Sequence, residues 1–480
     1  MNRNNTFSIL LFALTILIIL IISITSKYTS IITSYNRVEF GNLLLGAFIL
    51  IIISLFVIEL RALNINTFKK MSLGLLALSL TLLLVLSIFD MKTGIYGTAF
   101  FIFSTLIYVI IHGKVYSLNS IYLVVFAYPF LEFMGTIGTA KGFHFPEITY
   151  SFYLIPLAFS CFRLRKDTLL YILKLFIHIL LIFIAFSIIF WYYNLIHSDV
   201  KFIDWITKKT FVNGVSAYKF VADWSRYCHP SYINLVLLPG LISILYLYYQ
   251  KNEKAWISKS ELFLYVIGCI SFQLLSESRI GLVALALILL VTALYYLRLK
   301  AWNFKPILMF VLVCVSIGLF IGQNKVSSFL SDPVRKTDNA LAINYIKSNP
   351  WWGIGFGNEH LVLIEQEKIV KKELILIHTD KTYVHNELLG TMIQFGIPGA
   401  VILLIFLVGL FWYAFKSRSY LLQLFMLLYF LFMLIEEPLY VQEGITRFMI
   451  FLAFFIHLSE CDKPIKEYSL FNWFSKSKPT

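Results

Sequence analysis

Apolar runs of about 18 or more residues recur along the whole chain, and each is long enough to cross roughly 30 Å of hydrocarbon as a helix. In order they cover about 7–25, 42–60, 71–89, 96–112, 117–135, 148–162, 168–195, 232–250, 261–275, 280–297, 305–321, 396–415, 420–436 and 443–459. The run at 148–162 is short, and 261–297 also reads as one broken unit, so the sequence predicts about 12–14 transmembrane helices. Hydrocarbon offers no partner to a backbone N–H or C=O, so such runs must be helices or must close into a barrel. A barrel needs short segments that alternate in polarity, and these do not. The expected fold class is therefore all-α and polytopic. Composition agrees: of 480 residues, 59% are hydrophobic and 14% charged, against about a quarter charged in a soluble domain. The first run follows Arg3 and has no small-residue cleavage site, so it reads as a retained helix rather than a removed signal.

Basic residues in the short loops set the orientation. With the N-terminus inside, the inner connections carry Arg61, Lys69 and Lys70, then Lys114, then Arg163, Arg165 and Lys166. They continue with Lys251, Lys254 and Lys259, with Arg298, Lys300 and Lys305, and with Lys416 and Arg418. The C-terminal tail adds Lys463, Lys466, Lys476 and Lys478, so both termini are expected to be cytoplasmic. This pattern accounts for most of the +14 net charge by attraction to anionic inner-leaflet lipids, without nucleic acid as a partner.

Polar chemistry then collects on the outer face. It comprises the loop at 197–231, the turn Ser276-Glu277-Ser278-Arg279, a long loop at 322–395, and Glu436-Glu437-Pro438. No low-complexity linker or fixed-period repeat divides the chain, so it reads as one membrane domain, 1–480, with the 322–395 loop inserted between helices. The outer compartment usually lacks nucleotide sugars, so group transfer there needs a donor already activated and membrane-borne. Of the five cysteines only Cys228 is outside, which leaves it no outside disulfide partner. No Cys/His spacing suggests a metal site.

Each candidate residue has a bland reading and a chemical one. Arg279 begins an apolar run, where an arginine often snorkels to headgroups. The chemical reading is a permanently charged fork for phosphate. Arg335 precedes an expected amphipathic helix, Asp338 to Ser348, with Thr337 or Asp338 as N-cap. It is either a solvated loop residue or a second anion ligand. Gly353-Ile354-Gly355-Phe356-Gly357 follows Pro350-Trp351-Trp352 rather than a buried strand, which excludes a dinucleotide fingerprint. It reads as tight turns with two interfacial tryptophans. His385 precedes Asn386-Glu387-Leu388-Leu389-Gly390, which reads as the start of a helix running down into the bilayer, and suits proton exchange near neutral pH. His378 and His229, the latter within Arg226-Tyr227-Cys228-His229-Pro230, are its rivals. Glu436 and Glu437 are either ordinary helix-end carboxylates or accessories of the same site.

The order of these features resembles the O-antigen ligase/polymerase superfamily, bacterial membrane glycosyltransferases of the GT-C type. The features are Ser-Glu-Ser-Arg279, Arg335 opening a long outer loop, Asn-Pro-Trp-Trp-Gly-Ile-Gly-Phe-Gly-Asn, and His385-Asn-Glu-Leu-Leu with Gly-Ile-Pro-Gly downstream. The resemblance is strongest over about 220–455. It implies a donor glycan on undecaprenyl pyrophosphate at the periplasmic face of the inner membrane. The acceptor is the lipid A-core in the ligases, another lipid-linked repeat unit in the polymerases, and a protein hydroxyl in related enzymes. The family's two key arginines fall on Arg279 and Arg335 and its key histidine on His385. His229, Arg226, Glu436 and Glu437, on the same outer face, are the candidate accessories. It further implies metal-independent, inverting transfer without a cofactor. One departure is Lys336-Thr337-Asp338-Asn339 after Arg335, where the family often has an aromatic residue.

Two other classes stay open. A lipid-linked glycan flippase would carry ionisable residues deep in several spans. Here Glu132 and Lys174 are the main exceptions to otherwise clean spans. A non-catalytic assembly partner would have no need of two arginines and a histidine on one face.

Overall fold

Helices occupy the apolar runs wherever the computed structural model describes them. The described residues are 68–88, 91–112, 114–116, 119–137, 150–196, 211–212, 215–216, 230–250, 256–276, 278–297, 333–356, 358–359, 361–363, 384–461 and 467–469. The expected spans at 7–25, 42–60 and 305–321 lie outside them, as do Arg226, His229, His378 and the C-terminal lysines. The helices are α1 Phe68–Leu86, α2 Met91–His112, α3 Ile121–Ile137, α4 Tyr150–Ser160, α5 Lys166–Ile196 and α6 Pro230–Tyr249. They continue with α7 Lys259–Leu275, α8 Arg279–Leu297, α9 Pro333–Ser348, α10 Glu387–Lys416, α11 Tyr420–Met433 and α12 Gln442–Glu460. Strands among the described residues form two short antiparallel pairs. β1 (Lys114–Tyr116) pairs with β4 (Glu467–Ser469), and β2 (Phe211–Val212) with β3 (Val215–Ser216). Four helical stretches among them are long and apolar enough to cross a membrane: Gly94–His112, Lys166–Tyr193, Ser231–Tyr249 and Glu387–Lys416. The chain is an all-α polytopic membrane protein.

The chain packs as two compact units, one of residues Met1–Ser104 with Arg165–Val326 and one of Thr105–Leu164 with Ser327–Thr480. In the first, α5 is largely apolar and mostly buried, and it packs against α1, α6 and α7. A buried polar pair interrupts it, His178 Nε2 at 2.8 Å from Glu261 Oε1. Glu261 also closes a capping box with Ser258 at the start of α7, which satisfies two orphan backbone donors. The ambiguous stretch 261–297 is two helices, α7 and α8, with a turn that begins at Ser276. That turn is held from within the bundle. Asn234 of α6 donates to Ser278 Oγ at 2.7 Å, and Gln273 of α7 donates to Asn234 Oδ1. Ser278 Oγ in turn accepts from Gly281 N at 3.3 Å, in the manner of an N-cap for α8. Arg279 is the first residue of α8.

In the second unit, α10 packs on α3 and on α9, α10 and α11 form a hairpin, and α12 packs on α4 and α11. Asn119 donates to Tyr413 Oη at 2.8 Å and to Glu460 Oε2 at 2.6 Å, and Tyr413 donates to Glu460 Oε1 at 2.6 Å. This polar knot ties α3, α10 and α12 together beside the β1–β4 pair. The candidate site lies where α10 begins and α11 ends.

Candidate active site

Helix α10 is not straight, and the reason is local. Gly396 takes φ +67° and ψ −161°, a conformation that side chains rarely adopt, and Pro398 follows with no N–H to give. The carbonyls of Ile393 and Gln394 therefore lose their helical donors. The Pro-Trp-Trp-Gly turn replaces them: Ile354 N donates to Ile393 O, Gly355 N to Gln394 O, and Ile397 N to Pro350 O, each at 2.9 Å. Gly353 permits this approach, since a Cβ there would lie 2.0 Å from the Gln394 carbonyl carbon and oxygen. So the glycine-rich turn is the splint of a broken helix. Trp351 and Trp352 remain exposed on its outside.

The break also redirects the start of α10. Tyr128 of α3 packs its ring on Phe406, 5.3 Å between centroids, and donates its hydroxyl to Glu387 Oε1 at 3.0 Å. In an unbroken helix Glu387 and Phe406 would be about 28 Å apart, too far for one tyrosine ring to bridge. The first nine residues of α10, Glu387 to Phe395, therefore fold back towards α3, and the expected loop boundary at 395 falls inside this helix.

The loop before α10 has its own small core. Leu341 and Ala342 of α9, Val362, Leu363, Val384 and Ile393 are buried together, with Tyr345, Ile346, Ile354 and Leu389 packed against them. α9 begins at Pro333, where a proline suits the first helical position. Arg335 thus lies within α9 rather than before it, and Asp338 is a buried mid-helix residue rather than a cap. Val384, fully buried, anchors the residue before His385.

His385 then takes φ +60°, a left-handed conformation uncommon for a side-chain-bearing residue and of a kind concentrated at functional sites. The next residue locks it. Asn386 caps α10 by accepting from Leu389 N at 3.0 Å, and its amide donates to Leu434 O at 3.1 Å. Glu387 Oε2 accepts from Leu439 N at 3.0 Å. The 434–440 turn is thereby stitched to the start of α10.

On this frame the structure brings together three of the residues singled out in the sequence. Glu436 accepts from Arg335 Nη2 through Oε1 at 2.8 Å and meets His385 Nδ1 through Oε2 at 3.2 Å. Glu436 is 5% exposed at its side chain, Arg335 31% and His385 34%, so a buried carboxylate holds two partly exposed cationic or basic groups. When Nδ1 carries the proton that the carboxylate accepts, Nε2 keeps its lone pair. Arg335 supplies permanent positive charge within reach of the same carboxylate.

Glu437 points the other way. Its Oε1 accepts from Asn386 N at 3.5 Å, and it meets Glu359 over Gly390, whose Cβ, if present, would lie 2.8 Å from Glu437 Oε1 and 3.2 Å from Glu359 Oε2. Gln394 donates to Glu359 Oε2 at 3.1 Å. Burial pushes the Glu359 carboxyl up from an ordinary 4.5 to about 7, against hydrogen bonds and the nearby His385, which lower it. Burial likewise drives Glu437 well above the usual carboxylate range, and the negative charges of Glu359 and Glu387 add to the rise. Glu359, Gln394 and Tyr128 gave no signal in the sequence. Each is an ordinary residue type in an ordinary context, placed only by the tertiary fold. No cluster of metal-ligating side chains occurs among the described residues.

Residues 263–404 match a family model described as O-antigen ligase. This stretch of the chain is an O-antigen ligase domain of the ligase/polymerase superfamily. None of the curated proteins compared with the chain matches it. The ligase domain holds Arg279, Arg335 and His385 together with the Gly353 and Gly396 splint, whereas Glu436 and Glu437 lie beyond its end. In a multi-pass membrane protein, the match supports O-antigen ligase/polymerase-type glycan transfer in general.

Proposed function

We propose that the chain is an O-antigen ligase that moves a glycan from undecaprenyl pyrophosphate to a hydroxyl of the lipid A-core at the periplasmic face of the inner membrane. The observation that carries this reading is the Glu436 carboxylate gripping both Arg335 and His385. The acceptor hydroxyl attacks the anomeric carbon, the new C–O bond forms as the bond to the pyrophosphate oxygen breaks, and configuration inverts in that single step. His385 Nε2 takes the hydroxyl proton, and the Glu436 carboxylate stabilises the imidazolium that results. Arg335 neutralises charge growing on the departing pyrophosphate, a role for fixed charge that is often the largest catalytic contribution. Arg279 is assigned phosphate binding from the family resemblance and from its place as the first residue of α8. Guanidinium charge does here what a metal ion does elsewhere, so transfer needs no metal or cofactor. The basic inner loops support cytoplasmic termini.

The test is a deletion strain complemented with wild type, His385→Ala or Arg335→Ala, with surface polysaccharide resolved on a gel. Loss of glycan from the lipid A-core, with polymerised glycan retained on the undecaprenyl carrier, is the expected outcome. Core carrying a single repeat unit would instead identify a polymerase. Normal banding from both membrane-inserted variants would overturn the catalytic assignment.

A further inference from the structure

Glu436 and Glu437 are adjacent, yet only the first meets Arg335 and His385. The second is buried against Glu359, and the donors around this pair can be counted. Gln394 Nε2 and the Val384 backbone serve Glu359 and Asn386 N serves Glu437, while Glu359 Oε1, Glu437 Oε2 and Gln394 Oε1 are buried without a hydrogen-bond partner among the described residues. The adjoining pocket, whose lining includes Tyr128, Glu387, Gln394, Glu437 and Tyr440, leaves no room for a water beside Glu437. Two ionised carboxylates side by side in such a place repel each other and leave their lone pairs unserved. A proton on one of them removes a charge and supplies the missing donor together.

We propose that Glu437 is a positioning residue: its carboxyl and that of Glu359 share one proton, and this carboxyl pair is the latch that sets where Glu436 and His385 stand. The latch joins three segments. Glu359 comes from the loop after the Pro-Trp-Trp-Gly turn, Glu437 from the turn after α11, and Gly390, Gln394 and the Asn386 N–H from the start of α10. His385 and Glu436 are the immediate chain neighbours of Asn386 and Glu437. A displacement of the pair therefore acts on the Glu436–His385 contact through one peptide unit on each side. The other titratable groups facing the pair are Glu387, His385, Tyr128 and Tyr440. The inference rests on the transferase reading of His385 for its catalytic consequence, but the latch itself is a statement about structure.

The sign follows from linkage. A carboxyl held neutral in the fold contributes stability that is full below its unfolded value and is lost as pH rises through its raised folded value. Deprotonation would then drive the two carboxylates apart and loosen the catalytic contact, which predicts an alkaline limb in activity that a general base, active in its unprotonated form, would not itself produce. Glu437→Gln replaces the shared proton with a permanent neutral donor, whereas Glu437→Ala removes the latch. With the purified full-length chain, the wild-type thermal midpoint should fall as pH is raised from about 5 to about 8.5, and Glu437→Gln should flatten that slope. In transfer assays Glu437→Ala should lower kcat by about 10²-fold with little change in KM, the penalty of a small misplacement. Glu437→Gln should recover most of that loss and shift the alkaline limb upward. An unchanged thermal slope in Glu437→Gln, or a Gln variant as inactive as Ala at every pH, would overturn the latch. The thermal slope needs no substrate. A wild-type chain that transfers no glycan would therefore defeat the transferase reading while leaving the latch to be judged separately.

Discussion

Substituting Gly353 by alanine puts the splint of α10 to a direct test. The added Cβ would sit 2.0 Å from both the carbon and the oxygen of the Gln394 carbonyl and 2.2 Å from Phe395 N. All three are backbone atoms, so no rotamer change relieves the contact and the turn must move away as a body. That movement breaks the bonds from Ile354 N to Ile393 O and from Gly355 N to Gln394 O, both 2.9 Å. Each lost bond is worth about 1 kcal/mol, and an orphaned buried carbonyl costs about 1–3 kcal/mol. Gln394 cannot recover its partner from the helix, because the residue four positions on is Pro398. The expected loss is roughly 2–5 kcal/mol. Gly94→Ala is the control: its Cβ meets nothing within 4 Å, in the first turn of α2, so it should lie within about 1 kcal/mol of wild type and on the stabilising side. The assay is denaturant or thermal unfolding of both purified full-length variants beside wild type. If Gly353→Ala unfolds within about 0.5 kcal/mol of wild type, the glycine-rich turn does not brace the helix and the account of its sequence is wrong.

Three further perturbations separate the site from its supports. Glu436→Gln weakens the acceptor for both Arg335 and His385, so transfer should fall by about 10–100-fold in a protein that still inserts; wild-type rates would remove the histidine–carboxylate geometry from the mechanism. Glu387→Ala leaves Leu439 N–H and the Tyr128 hydroxyl without their acceptor and should destabilise by roughly 2–5 kcal/mol, whereas Tyr128→Phe removes one of those bonds and should cost markedly less; equal losses in an unfolding comparison would contradict this. Ser258→Ala removes the cap of α7 and should cost about 0.5–2 kcal/mol in thermal unfolding with transfer still measurable.

Much of the fold was legible because a bilayer dictates run length. The expected span at 232–250 is α6, Pro230–Tyr249, and that at 443–459 is α12, Gln442–Glu460. What escaped was backbone that departs from its own pattern. Asn386 to Gly390 reads as the start of a helix, as the structure has it, but the expected span begins only at 396, and the break at Gly396 with helix on both sides of it escaped the pattern. Only the distant turn at 350–355, which supplies the lost hydrogen bonds, makes that continuation possible, and no local window contains both partners. The site divides in the same way. Arg335 and His385 announce themselves by residue type, as a permanent cation and a base near neutral pH in a poorly charged chain. Glu436 and Glu437 look equivalent in the sequence. The turn after α11 is non-helical, so the two neighbours face apart, one to Arg335 and His385 and one to Glu359. Their separate roles follow from that divergence. The same turn that presents one carboxylate to Arg335 and His385 buries the next one among donors too few to serve it, so placing Glu436 and, in the proposed latch, holding a proton beneath it are one structural event.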